Sequence, residues 1–216
     1  VAEEKRRREE LSCRLSPNVV DKVIAGEAAL GSQDLEISVL FADLVGFTTL
    51  SEQLPANAVV ELLNALFDGL TREVFAQDGT LDKYVGDALI AFFGAPDLQE
   101  DHAKRSVQAA IAMQNYLDKF NLQHPEWPDL QMRIGINSGI ATVGDIGSTD
   151  RRDYTVIGDT VNTASRLESQ VSQPGEVVVG DETARQLDDS IRKEKMEPVP
   201  LKGKSRSVIP WKIIRG

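Results

Sequence analysis

Two aspartates carry the clearest chemical signal in this chain. Asp43 stands in Phe41-Ala42-Asp43-Leu44-Val45-Gly46-Phe47-Thr48, and Asp87 in Lys83-Tyr84-Val85-Gly86-Asp87-Ala88-Leu89. Each falls where an apolar, strand-like run meets a glycine turn. A carboxylate at the end of a buried strand is costly to desolvate unless a cation or a set of donors compensates it. Two of them on neighbouring strands repel, and divalent ions held between them reverse that sign. Magnesium suits so sparse a set, since it takes one or two carboxylates and fills its shell with substrate phosphates and water. Singly, Asp43 reads as a helix N-cap and Asp87 as a hairpin residue. The pair is what points to phosphate chemistry.

Other groups fit the same chemistry. The amides of Val45, Gly46 and Phe47 fall at a helix N-terminus, where they can hold phosphate oxygens. Asn162 and Arg166 are four residues apart in a helical stretch and share one face. A guanidinium with an amide one turn away suits the oxygens of a transferring phosphoryl group, although a plain polar face reads equally well from spacing alone. Lys202-Gly203-Lys204-Ser205 looks like the end of a P-loop, but Pro198 stands where the upstream glycine is required. A basic turn over a phosphate tail and a solvated turn are both left open. Gly144-Asp145-Ile146-Gly147 lacks the dinucleotide-binding fingerprint.

These residues need a scaffold. With 216 residues, 41% of them hydrophobic, the chain suits one α/β domain with a short extension. No apolar run approaches membrane-spanning length. The net charge of −10 argues against broad binding of nucleic acid or anionic lipid. Cys13 is the single cysteine, which excludes an internal disulfide and fits a reducing, cytoplasmic setting. His102 and His124 have no partners at zinc spacing.

Along the chain, Lys5-Arg6-Arg7-Arg8-Glu9-Glu10 reads as a solvated helix face. Ser16-Pro17 starts a short helix that Gly26 closes. Residues 1–30 are expected to be a charged helical linker from an upstream regulatory region, and 31–216 the functional domain. A strand is expected at 37–42, followed by helical spacing through Val59, Leu62, Leu66, Leu70 and Val74. Strands at 80–84 and 87–93 flank a Val85-Gly86 turn. Asp101 is placed to cap the next helix, which carries Ala103, Val107, Ala110, Ile111 and Leu117. A strand at 130–136 is expected to pair with a return at 139–144. After a polar turn at 145–153, residues 154–157 lead to a helix from Asp159 through Glu168. A strand at 176–179, a helix from Asp181 and strands near Glu197 and at 208–214 end the chain. The order βαββαβ predicts an α+β fold: a ferredoxin-like core sheet with helices on one face plus C-terminal strand and helix additions.

Three stretches, FADLVGFT (41–48), LDKYVGDALIAFF (81–93) and DYTVIGDTVNTASRLE (153–168), together resemble the catalytic domain of class III nucleotide cyclases. The likeness runs from about Glu36 to the end. It implies an adenylyl cyclase making 3′,5′-cyclic AMP and pyrophosphate from ATP, of the bacterial or soluble type. Asp43 and Asp87, with the Leu44 carbonyl, would hold two magnesium or manganese ions. Val45, Gly46 and Phe47 amides would cradle phosphates, and Lys83 and Thr155 would read the purine edge. Asn162 would orient the ribose, Arg166 would stabilise the α-phosphoryl transition state, and Lys202 would contact the β- and γ-phosphates. The family implies a homodimer in which the metal pair and the lysine come from one subunit, the asparagine and arginine from the other. Thr155 departs from the aspartate many members carry, and the family associates threonine there with bicarbonate stimulation. No side chain in these motifs is an evident general base, which leaves water or a substrate phosphate. Two alternatives accompany this reading: a guanylyl or dual-purine cyclase, and a catalytically silent nucleotide-binding dimerisation module. A diguanylate cyclase is disfavoured, because the hairpin lacks a Gly-Gly-Asp-Glu-Phe-like turn.

Overall fold

The apolar run after Gly31 forms strand β1 (Gln33–Leu44), longer at both ends than the sequence predicts. Its side chains alternate between two buried faces, as a pleated strand requires. Leu40, Ala42 and Leu44 enter one core, while Ile37 and Val39 enter the other. The computed structural model describes residues 6, 11, 15–25, 31–203 and 207–215. Most of the charged run at 5–10, Cys13, Gly26, Lys204 and Ser205 lie outside the described residues.

Helix α1 (Pro17–Ile24) precedes β1; helices α2 (Phe47–Gln53) and α3 (Ala56–Phe75) follow it. Strands β2 (Thr80–Val85) and β3 (Ala88–Phe93) form a hairpin, helix α4 (His102–Gln123) comes next, and strand β4 spans Met132–Gly147. Strand β5 (Arg152–Ile157), helix α5 (Asp159–Gln170), strand β6 (Val177–Gly180), helix α6 (Asp181–Arg185), strand β7 (Lys193–Lys195) and strand β8 (Pro210–Ile213) complete the chain. The sheet order is β2-β3-β1-β4-β6-β8-β7, with β5 paired to β4. Its first four strands have the order of the ferredoxin-like core, as expected.

Both core helices lie on one face. Leu62, Leu66, Leu70 and Val74 of α3, at helical spacing, meet Val107, Ala110, Met113 and Leu117 of α4 over the sheet. Helix α5 belongs to the additions and packs on the other face, where Ala164 meets Ile37, Val39, Phe92 and Val143. Gly135 of β4 permits that approach, since a Cβ there would lie 2.2 Å from the Glu168 nitrogen.

Several local expectations need correction. The stretch at 139–144 does not return on 130–136; both belong to β4, which pairs with β1 from Leu44↔Met132 to Gln33↔Val143. Gly139 and Gly144 have φ of 151° and 156°, so they redirect an unbroken strand instead of reversing it. The true return is β5, reached through a turn much shorter than 145–153. In the β2–β3 hairpin, Val85 pairs with Ala88, so the turn residues are Gly86 and Asp87. The first turn position needs positive φ, which Gly86 supplies at 63° and a β-branched valine resists. Asp101 occupies the N-cap without a side-chain cap bond; its carboxylate accepts from Arg105 Nε at 2.6 Å instead. Ser16 also makes no cap bond: its hydroxyl accepts from the Leu81 amide at 2.8 Å and donates to the Leu81 carbonyl, tying α1 to β2. The strand placed near Glu197 lies earlier, at β7, and Val199 makes an isolated bridge to Val208.

Candidate active site

Asp43 is the second-last residue of β1, and its cross-strand partner is Arg133 of β4. The β1–β3 register sets Ala42 opposite Leu89, so the hairpin turn delivers Asp87 to the same end of the sheet. The two aspartates are therefore neighbours, as the sequence predicts. The Asp87 carboxyl is held above the usual carboxylate range, first by burial and then by the Asp43 charge. Arg133 Nη2 reaches Asp43 Oδ2 at 3.0 Å and Glu168 Oε1 at 3.1 Å. Glu168 is 6% exposed, and its carboxyl is pushed up to about 7. Burial is the main cause; Arg133 opposes it, while Asp43 and Asp87 add to it. The Arg133 contact does not have hydrogen-bond alignment, which leaves Glu168 Oε1 buried without a hydrogen bond.

Among the described residues three carboxyl groups thus share one guanidinium, a deficit of positive charge in a partly desolvated corner. Hard oxygen donors in that setting suit magnesium or manganese. Among the described residues no three His, Cys, Asp or Glu groups form a metal-holding set. Cations here would rest on the aspartate pair, the nearby Leu44 carbonyl and oxygens from solvent or substrate. Of the three amides expected to hold phosphate, that of Val45 is already engaged: it donates to the Gln131 carbonyl at 2.8 Å, prolonging the β1–β4 ladder by one residue. The Gly46 and Phe47 amides have no backbone partner among the described residues. Gly46 is left-handed (φ 71°) and starts α2, with open space where a Cβ would stand.

A second cluster gathers Lys83, Thr155 and Asp82. Lys83 Nζ lies 3.4 Å from the Thr155 hydroxyl, to which it donates, and 3.4 Å from Asp82 Oδ1. The Thr155 hydroxyl donates to Asp82 Oδ2 at 2.9 Å. Burial raises the Asp82 carboxyl, against the lowering effect of the Thr155 bond and the Lys83 charge. Among the described residues Lys83 has no hydrogen bond or ion pair to Asp43 or Asp87. It stands with Thr155, four residues before α5 begins.

A third group lies along α5. Its sheet-facing side carries Thr160, Thr163, Ala164, Leu167 and Glu168, while Asn162 is exposed and Arg166 half-buried. Gly203 sits against the Arg166 guanidinium, since a Cβ there would fall 3.3 Å from Nη2. The adjoining Lys202 is exposed, and its amide donates to Gln170 Oε1 at 3.4 Å. Arg166 has no carboxylate partner among the described residues. Helix α5 delivers Glu168 to Asp43's neighbourhood and directs Arg166 to the Lys202–Gly203 turn.

Arg133, Glu168 and Asp82 were missed in the sequence. Arg133 is a charge among the apolar residues Met132, Ile134 and Ile136 of β4, and Glu168 falls on the buried stripe with Thr160 and Ala164. Either breach of pattern could have drawn notice.

The family described as the adenylate and guanylate cyclase catalytic domain matches residues 32–213. The adenylyl cyclase CyaB from P. aeruginosa has a similar structure, with a TM-score of 0.83 and 37% identity over 87% of this chain and 97% of that one. Adenylate cyclase 1 of Rhizobium meliloti is 32% identical over 83% of this chain and 27% of its own length. The receptor-type guanylate cyclase gcy-28 of Caenorhabditis elegans is 33% identical over 98% of this chain and 16% of its own length. The chain thus spans about a quarter or less of these two longer relatives. Domains of this kind bind nucleotide, use divalent metal ions and work as dimers. Sequence motifs, sheet topology and the paired aspartates agree: this chain belongs to the class III adenylate and guanylate cyclase catalytic-domain family.

Proposed function

We propose that this domain is an adenylyl cyclase, converting ATP to 3′,5′-cyclic AMP and pyrophosphate in a homodimer with two shared active sites. One observation carries the reading. Asp43 and Asp87 converge at one end of the sheet, while the Lys83–Thr155 pair and Arg166 make separate contacts of their own. Among the described residues no hydrogen bond or ion pair joins Lys83, Thr155 or Arg166 to Asp43 or Asp87, which supports a twofold-related copy bringing each half of the site to its complement. Because Lys83 meets Thr155 within one chain, the lysine is grouped with Asn162 and Arg166, not with the metal pair as the family resemblance led us to expect.

Asp43, Asp87 and the Leu44 carbonyl would hold two magnesium or manganese ions, with Arg133 fixing the Asp43 carboxylate. Those ions, when bound, acidify the ribose 3′-hydroxyl and offset triphosphate charge. The Gly46 and Phe47 amides face the phosphates, and Lys202 contacts their β/γ end. Asn162 orients the ribose so that its 3′-oxygen attacks the α-phosphorus in line with departing pyrophosphate. Arg166 neutralises charge that develops on the α-phosphoryl oxygens. Lys83 donates to adenine N1, and Thr155 accepts from the exocyclic amine. Guanine presents the opposite polarity at both atoms.

Guanylyl cyclases among the relatives support a second reading with GTP as substrate. Assaying the purified chain with ATP or GTP plus manganese, beside Asp43→Ala, separates the two. We expect cyclic AMP and pyrophosphate from ATP, and neither from the variant. A preference for GTP would replace the reading, and release of pyrophosphate from neither nucleotide would favour a silent dimerisation module. Residues 1–30 are proposed as a connection to an upstream sensor; the described helix within them, α1, is docked on β2. Bicarbonate activation rests on Thr155 alone, and rates with and without added bicarbonate decide it.

A further inference from the structure

Strand β2 has an irregularity beside its base-reading residue. Its pairing to β3 runs Leu81↔Ala91 and then Lys83↔Ile90, leaving Asp82 as the extra residue of a bulge. Consecutive side chains of a regular strand point to opposite faces. The bulge suspends that rule, and both Asp82 and Lys83 reach Thr155. Asp82 is not a surface charge that happens to lie nearby. Its side chain is 4% exposed, and Oδ1 is buried without a hydrogen bond.

We propose that Asp82 is a positioning residue for purine choice: it commits the Thr155 hydroxyl hydrogen, making that hydroxyl an acceptor that suits adenine and rejects guanine. The inference rests on the proposed adenylyl cyclase reading. A threonine hydroxyl has one hydrogen and two lone pairs, so by itself it can face either purine. A carboxylate only accepts. With the hydrogen given to Asp82 Oδ2 and one lone pair facing Lys83, a single lone pair remains for a ligand. The exocyclic amine of adenine donates to it. The carbonyl oxygen of guanine would meet it lone pair to lone pair, in a site where a buried polar mismatch is costly.

Asp82→Asn tests this with little change of shape. The amide can donate to Thr155, which frees the hydroxyl hydrogen to point at a guanine or hypoxanthine carbonyl. Initial rates with ATP, GTP and inosine triphosphate, with manganese, give kcat and KM for each nucleotide in wild type, Asp82→Asn, Asp82→Ala and Thr155→Ala. The ATP-to-GTP ratio of kcat/KM should fall about tenfold in Asp82→Asn, mostly through KM, with inosine triphosphate following GTP. In a Thr155→Ala background the asparagine should change the ratio no further. A uniform loss for all three nucleotides in Asp82→Asn would overturn the proposal, because it would assign Asp82 a structural role only. So would an unchanged ratio in both Asp82 variants. If Asp82→Asn did not fold, Asp82→Ala would decide alone, since it too leaves the hydroxyl free to rotate. Should Thr155→Ala itself leave KM for ATP unchanged, the base-reading role of Thr155 would fail, and this inference with it.

Discussion

The two ends of the proposed site are built on opposite electrostatic plans. At the acid corner, Asp43, Asp87 and Glu168 share the single Arg133, and burial pushes two of the three carboxyls above their ordinary range. At the base-reading corner, Asp82, Lys83 and Thr155 hold each other in a network with one carboxylate and one ammonium. The first corner is under-compensated without added cations, and the second is assembled in advance. On the proposed reading, cation binding energy would be available where charge must be managed, while selectivity would rest on fixed donors and acceptors.

Removing either member of the acid pair should break this contrast most. Asp43→Ala or Asp87→Ala is expected to cut the cyclic AMP rate by about 10³-fold or more, in a manganese-supplemented product assay. Arg166→Ala should follow, with a loss of about 10³-fold, mainly in kcat. Lys83→Ala acts on the other corner; KM for ATP should rise about tenfold with a smaller change in kcat, and purine preference should weaken.

The smallest effect concerns stability. Glu168 in the fold is raised to about 7 from an ordinary 4.5, so the folded state binds its proton more tightly than the unfolded chain does. The stability this proton supplies is fully present below about pH 4.5 and is lost as pH rises through about 7. Glu168→Gln should flatten the fall in Tm between pH 5 and 8, measured without added metal. A gain of about 2–4 °C at pH 8 is expected for each kcal/mol recovered. Manganese should raise the wild-type Tm and leave that of Asp43→Ala nearly unchanged.

Much of this arrangement was readable along the chain, for stated physical reasons. The apolar run at 37–42, the i, i+4 stripe of α3 and the glycine beside each aspartate are local patterns; they led to β1, to α3 and to the β2–β3 hairpin, whose turn lies one residue later than the pattern suggests. The failures came where a local pattern has two tertiary outcomes. Gly139 and Gly144 serve a turn or a redirected strand equally well, and only pairing with β1 decides between them. The Val45 amide looked free because its acceptor, the Gln131 carbonyl, is 86 residues away in sequence. Arg133, Glu168 and Asp82 gain their meaning from partners on other strands and helices, as does the hydroxyl direction of Thr155.

The central claim is that two chains share each site, and mixing two inactive variants tests it most directly. Asp43→Ala and Arg166→Ala, unfolded together and refolded at equal concentration, should form heterodimers with one intact site each. About a quarter of wild-type activity should return, because half of the dimers are mixed and each carries one working site of two. A mixture that forms heterodimers yet stays as inactive as its parents would contradict the account.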